Sequence, residues 1–166
     1  MTPEGNLDIL VDVPGWTAAF DDIESLCRRA VGAAMAVAPE AWRGHAVSLL
    51  LTDDETMRRL NRSYRGQDQA TNVLSFPAAA EPEEQSGAPH PGDARWLGDI
   101  AVGLEAAVRE AEDEEKPLAD HVCHLIVHGT LHLLGYDHED DAEAGIMERL
   151  ETRVLAGLGV PDPYHP

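Results

Sequence analysis

The apolar positions of this chain alternate between a two-residue and a helical period. Leu7 to Val13 alternates or runs apolar and stops at Pro14-Gly15, which reads as a strand closed by a turn. From Phe20 to Ala38 the spacing becomes helical, with Ile23, Leu26, Cys27, Ala30, Val31 and Ala34 along one face and Pro39 as a stop. Ala46 to Leu51 reads as a second strand. Thr52-Asp53-Asp54-Glu55 then has the form of a capping box, so a helix is expected from there, turning Met57, Leu60 and Tyr64 inward. The same helix carries Arg58, Arg62 and Arg65 at i, i+4 and i+7. Thr71 to Phe76, ended by Pro77, reads as a third strand, and Trp96 to Val102 as a fourth. Between them, 78–95 is rich in proline, glycine, alanine and acids without a period, the pattern of a mobile surface loop. Leu104 to Glu114 reads as a helix. Pro117 opens another, running from Leu118 to about Leu134 with Gly135 just past its end. A last helix is expected from Asp141 to Leu158, followed by an irregular tail over 160–166.

Strands and helices mixed in this way imply an α+β or α/β sheet with helices packed on it, although strand order does not follow from the pattern. With 166 residues and 43% hydrophobic content, the chain suits one domain with a continuous core. It has no apolar run of the roughly 20 residues that a membrane span needs, and Met1-Thr2-Pro3-Glu4-Gly5 lacks the order of a signal peptide. A cytoplasmic location without membrane attachment is therefore expected. Cys27 and Cys123 are far apart, which suits reduced thiols packed as small apolar groups. The net charge of -19 argues against phosphate binding by bulk electrostatics and reads as a solvated surface favouring solubility.

Chemistry concentrates in the histidines, five of eight of which lie between His121 and His138. His128 and His132 are one helical turn apart, so their side chains leave the same face and can converge on one ion. Gly135 stops the helix, and Tyr136-Asp137 turns the chain so that His138 can supply a third nitrogen. Three protein ligands leave a fourth position open, the mark of a catalytic rather than a structural zinc. His124 lies on the same face, but eight residues separate it from His132, a rise of roughly 12 Å that two zinc–nitrogen bonds cannot span. It is left between a role beside the site and simple packing, and His121 is read as a surface residue. The metalloprotease pattern H-E-x-x-H would place a general base after the first histidine, where this chain has Gly129.

The run His128-Gly129-Thr130-Leu131-His132-Leu133-Leu134-Gly135-Tyr136-Asp137-His138 closely resembles the H-G-x-L-H-L-x-G-Y-D-H signature of the YbeY family. Leu60-Asn61-Arg62-Ser63-Tyr64-Arg65-Gly66-Gln67-Asp68, Thr71-Asn72-Val73-Leu74-Ser75-Phe76-Pro77 and Leu97-Gly98-Asp99-Ile100 resemble further family segments in the same order. The chain departs from the family at Gln69-Ala70, where a proline often stands, and in a longer acidic loop.

The resemblance implies a zinc-dependent, single-strand endoribonuclease acting on ribosomal RNA, especially the 3′ end of small-subunit RNA, and in ribosome quality control. It implies one zinc per chain on His128, His132 and His138, with Arg65 as the functional arginine. Its fold would be a mixed sheet flanked by helices. The combined expectation is an α+β single domain over 1–166, with a mixed, mostly parallel four-stranded sheet and the zinc site on a central helix and its following loop. Arg65 is weighed against a plain role as a cation at a helix C-terminus. Asp137 is expected to orient a ligand histidine or relay a proton, and Asp99 and Ser75 to hold strand ends. Arg58 and Arg62 either extend a basic strip or form a solvated helix face. Two rivals stand beside this reading. One is a peptidase or ester hydrolase using the same metal cradle, and the other a non-catalytic ribosome-associated factor with structural zinc, its acidic surface docking on basic ribosomal proteins.

Overall fold

The structure, a computed structural model, describes residues 7–38, 44–78, 96–137 and 139–164. Strands β1 (Leu7–Val11), β2 (Ala46–Thr52), β3 (Val73–Pro77) and β4 (Trp96–Gly103) form one sheet in the order β1-β2-β4-β3. β2 runs parallel to both of its neighbours, while β3 pairs antiparallel with β4, Ser75 opposite Ile100. The mixed, mostly parallel expectation is met. β2, with the sequence AVSLLLT, sits inside the sheet and is buried along most of its length, as suits a parallel strand covered on both faces.

Among the described residues, six helices pack around it: α1 (Gly15–Ala19), α2 (Ile23–Met35), α3 (Asp54–Arg65), α4 (Leu104–Asp113), α5 (Leu118–Leu133) and α6 (Asp141–Gly157). α5 is central, packing against α2, α4 and α6 and against strands β3 and β4. Its residues Val122, Ile126, Val127 and Leu131 are fully buried. An apolar surface on nearly every side is what a helix inside a domain requires. Cys27 and Cys123 are free and buried among these elements. Burial pushes their thiols up to about 12 and about 11, so neither is a ready nucleophile.

Besides Tyr64, which is exposed and not turned inward on α3, three local expectations need correction. Pro14-Gly15 opens the short helix α1 instead of a turn, and the fully buried indole of Trp16 donates to the Thr52 carbonyl at 2.9 Å. The cap of α3 is Asp53, not Thr52: its carboxylate accepts from Thr56 N at 2.9 Å, while the Thr52 hydroxyl donates to Asp12. That hydrogen bond holds the Asp53 carboxyl below the usual range. Asp53→Ala is expected to lower stability by about 1 kcal/mol, read as a shift in the urea midpoint at constant slope. The third correction concerns His121, which is buried and not on the surface. Of the segment 78–95 expected as a loop, residues 79–95 lie outside the described residues, as does His138.

α3 and α4 start side by side and cap each other. Asp54 N donates to Glu105 at 2.6 Å, and Ala106 N donates to Asp54 at 3.2 Å. Arg109 adds an ion pair to Asp54 at 2.9 Å. The shared cap anchors α3 at one end and carries its other end, with Arg65, to the edge formed by β3.

Candidate active site and metal centre

α5 ends in a Schellman motif. Gly135, at φ +99, donates to the His132 carbonyl at 3.0 Å, and Tyr136 N donates back to Leu131 at 3.1 Å. The motif stops the helix at Leu133, one residue past His132. Within the last two turns, His128 and His132 bring their Nε2 atoms to 3.0 Å, with the rings 4.5 Å apart and nearly perpendicular. Nitrogens bound to one tetrahedral zinc at about 2.0–2.1 Å lie about 3.3 Å apart, so this spacing fits a shared ion.

The other nitrogen of His128, Nδ1, meets the carboxylate of Glu151 on α6, which is completely buried. Tyr164, in the tail, donates its hydroxyl to the second oxygen of Glu151. The ring of His124 stands edge-on to Tyr164, its Nε2 3.7 Å from Glu151 and 3.5 Å from the Tyr164 hydroxyl. Burial raises the Glu151 pKa, but hydrogen bonds from His124, His128 and Tyr164 outweigh it and bring the group to about 2. The phenol of Tyr164 is shifted upward by burial and by the carboxylate it meets.

Two ligand groupings therefore meet at His128. His124, His128 and Glu151 offer three ligand atoms within 4.8 Å of one another, close enough to hold a metal ion. His128 and His132 form the other pair on the opposite ring nitrogen. Glu151 meets Nδ1 as a hydrogen-bond partner, and the Nε2 pair, at 3.0 Å, is likewise within hydrogen-bond distance and close enough for both nitrogens to share an ion. His124 is 6.3 Å from His128 by ring centroid and is turned toward Glu151, away from His132. It belongs to the Glu151 grouping and not to the His132 pair, as its helical distance from His132 requires.

Arg65, the last residue of α3, reaches the same region from across a cavity of about 530 Å³. His128, His132, Asn61 and Asn72 also line it. The Arg65 guanidinium donates to the Ser75 carbonyl at 3.3 Å, and the Ser75 hydroxyl donates to the Gly129 carbonyl at 3.1 Å. β3 thus links the arginine to the helix that carries the histidines. The other arginines of α3, Arg58, Arg59 and Arg62, do not line this cavity. Arg58 makes a two-pronged contact with Asp68 at 2.7 and 3.0 Å. Asp137 lines the cavity, whereas Asp99 lies mid-strand on the other face, its carboxyl raised by burial.

His121 serves a structural network. Its Nε2 donates to Glu110 at 2.7 Å, and the Asn72 amide donates to the same carboxylate at 2.9 Å, joining α5, α4 and the start of β3. Desolvation lowers its pKa despite that carboxylate. The sequence reading missed Glu151 and Tyr164. A carboxylate spaced helically among the apolar residues of α6, in register with Met147 and Val154, was the one available signal.

The family model described as Endoribonuclease YbeY matches residues 16–159. A Jannaschia sp. protein named Endoribonuclease YbeY is 49% identical over 160 residues, covering 95% of this chain and 99% of the relative. One of the same name from Paramagnetospirillum magneticum is 46% identical, covering 95% and 96%. The solution structure of a Thermotoga maritima protein superposes with a TM-score of 0.52 at 22% identity, covering 92% of this chain and 91% of that one, a likeness of fold. The histidine signature, the arginine segment and identity close to one half over nearly the full length agree: the chain belongs to the YbeY endoribonuclease family.

Proposed function

We propose that this protein is a zinc-dependent endoribonuclease that cleaves single-stranded RNA during ribosomal RNA maturation, with the 3′ end of small-subunit RNA as its target, and serves ribosome quality control. The observation that carries this reading is the convergence of the His128–His132 nitrogen pair and Arg65 on one cavity, in a chain of this family. His128, His132 and His138 hold one zinc, the third residue being assigned from the sequence motif. Bound there, zinc supplies Lewis acidity toward a phosphoryl oxygen and acidifies water.

The remaining work falls to the chain. Arg65 presents a planar fork to the phosphate and stabilises charge as it builds on the phosphoryl oxygens. Ser75 aims that fork through its carbonyl. Asn61 is buried and donates to the Gln69 carbonyl at 2.9 Å, fixing the chain that leaves α3. Among the described residues lining the cavity, amides and hydroxyls outnumber carboxylates, with Asp137 the acidic member. A strand of phosphates can enter there despite the net charge of -19. No helix among the described residues is long and apolar enough to cross a membrane.

The test measures metal content and cleavage of single-stranded and duplex RNA in one preparation, before and after chelation. About one zinc per chain is expected, with single-strand cleavage lost on chelation and restored by zinc. Arg65→Ala should keep its zinc and lose about 10²- to 10³-fold in cleavage, the usual effect of removing one preorganised donor. Arg65→Lys, which lacks the fork, should recover only part. Stoichiometric zinc without RNA cleavage would instead favour the non-catalytic ribosome-associated factor, to which the acidic surface is suited. Cleavage of casein would favour a peptidase.

A further inference from the structure

We propose that Glu151 is a positioning residue that fixes the tautomer and ring orientation of His128, with Tyr164 as the clasp that holds its carboxylate in place. The proposal rests on the reading that His128 binds the metal through Nε2. A neutral imidazole has one N–H and one lone pair, and the partner of one nitrogen decides which is which. Glu151, at 0% exposure, presents one oxygen to His128 Nδ1 and the other to the Tyr164 hydroxyl. An ionised carboxylate only accepts, so the proton of His128 sits on Nδ1 and the lone pair on Nε2, the atom facing His132 at 3.0 Å.

The arrangement also explains a buried charge. A carboxylate this far from solvent is costly without partners, and both of its oxygens have them. α6 brings Glu151 to α5 with Met147 and Val154, both buried on the same side. Tyr164 then returns from the tail to close the second oxygen, its ring packed 5.7 Å from that of His124. His124, Glu151 and Tyr164 thus form a support behind His128, on the side opposite His132. Carboxylates placed in this way behind a ligand histidine are worth about 10- to 100-fold in metal affinity.

Three variants test the assignment: Glu151→Gln, Glu151→Met and Tyr164→Phe. Zinc affinity is read by competition with a chromophoric chelator, the His128 tautomer from ring nitrogen chemical shifts in the metal-free protein, and folding from the thermal midpoint. Glutamine keeps an acceptor for Nδ1 and can donate its amide to the tyrosine oxygen. It should retain the single tautomer and lose about tenfold in affinity. Methionine fills the volume without an acceptor, so both tautomers should appear and affinity should fall by about 100-fold. A folded Glu151→Met protein with one tautomer and wild-type affinity overturns the proposal. If methionine prevents folding, Glu151→Gln and Tyr164→Phe decide. About tenfold weaker binding at an unchanged thermal midpoint supports the proposal, and wild-type affinity in both overturns it. Wild-type protein that takes up no zinc sinks the metal reading itself, a result separable from every variant outcome.

Discussion

In His132→Ala protein, zinc binding should weaken by more than about 100-fold and RNA cleavage should fall to background, while the thermal midpoint stays close to wild type. The lower bound on affinity follows because residues that merely support a ligand are worth about 10- to 100-fold, and a direct ligand exceeds them. The fold should survive because His132 is only half-buried at the mouth of the cavity, and the end of α5 is secured by backbone bonds from Gly135 and Tyr136. The informative control is His124→Ala. If the ion sat instead among His124, His128 and Glu151, removal of His124 would abolish binding and removal of His132 would not. With the ion on the Nε2 side of His128, the order reverses. Metal content after dialysis, measured on both variants in parallel, decides between the two positions.

The reason one grouping was legible in the sequence and the other was not is local periodicity. His128 and His132 lie one turn apart, and any α-helix brings such residues to one face, so their meeting follows from spacing alone. Glu151 meets His128 across 23 residues, through the packing of α6 on α5. Its register with Met147 and Val154 sets Glu151 apart from Glu148, but Glu143 shares that register, and only burial separates the two. His121 shows the same limit from the other side. A polar residue within the histidine run looks like surface, yet α4 covers it and Glu110 pairs with it. The strands were legible as apolar runs, whereas their order was not, since β4 inserts between β2 and β3 through contacts remote in sequence.

The overall charge misleads for a related reason. A net charge of -19 averages over the whole surface, and a cleft is defined by the few groups that face it. α3 carries most of the relevant cations, but Arg58 is engaged by Asp68 and only Arg65 lines the cavity beside the histidines. On the proposed function, RNA would meet, among the described residues lining the cavity, the guanidinium of Arg65 and neutral amides in place of a broad basic face. RNA binding on this plan should be weak in isolation and depend little on salt, since few phosphates are neutralised.

Gly129→Glu, the substitution that would turn this helix into a protease-like H-E-x-x-H, is expected to destabilise the fold by about 3 kcal/mol or more, with no gain of peptidase activity. The sequence alone presents Gly129 as a missing general base, but the structure gives the glycine a different reason. A Cβ there would lie 3.1 Å from Ile100 Cγ2, 3.1 Å from Ser75 Oγ and 3.4 Å from Val73 Cγ2, because α5 packs its backbone directly onto β3 and β4. Position 129 faces the sheet, so a glutamate there would point its carboxylate into the core and not at a substrate. Alanine separates the two components of the effect. It gains about 1 kcal/mol of helix propensity and costs about 1–3 kcal/mol of overpacking, so Gly129→Ala should fall between neutral and about 2 kcal/mol destabilising. Urea unfolding of both variants measures the difference. Gly129→Glu protein with wild-type stability would show that α5 can move off the sheet, and would remove the steric reason for the glycine.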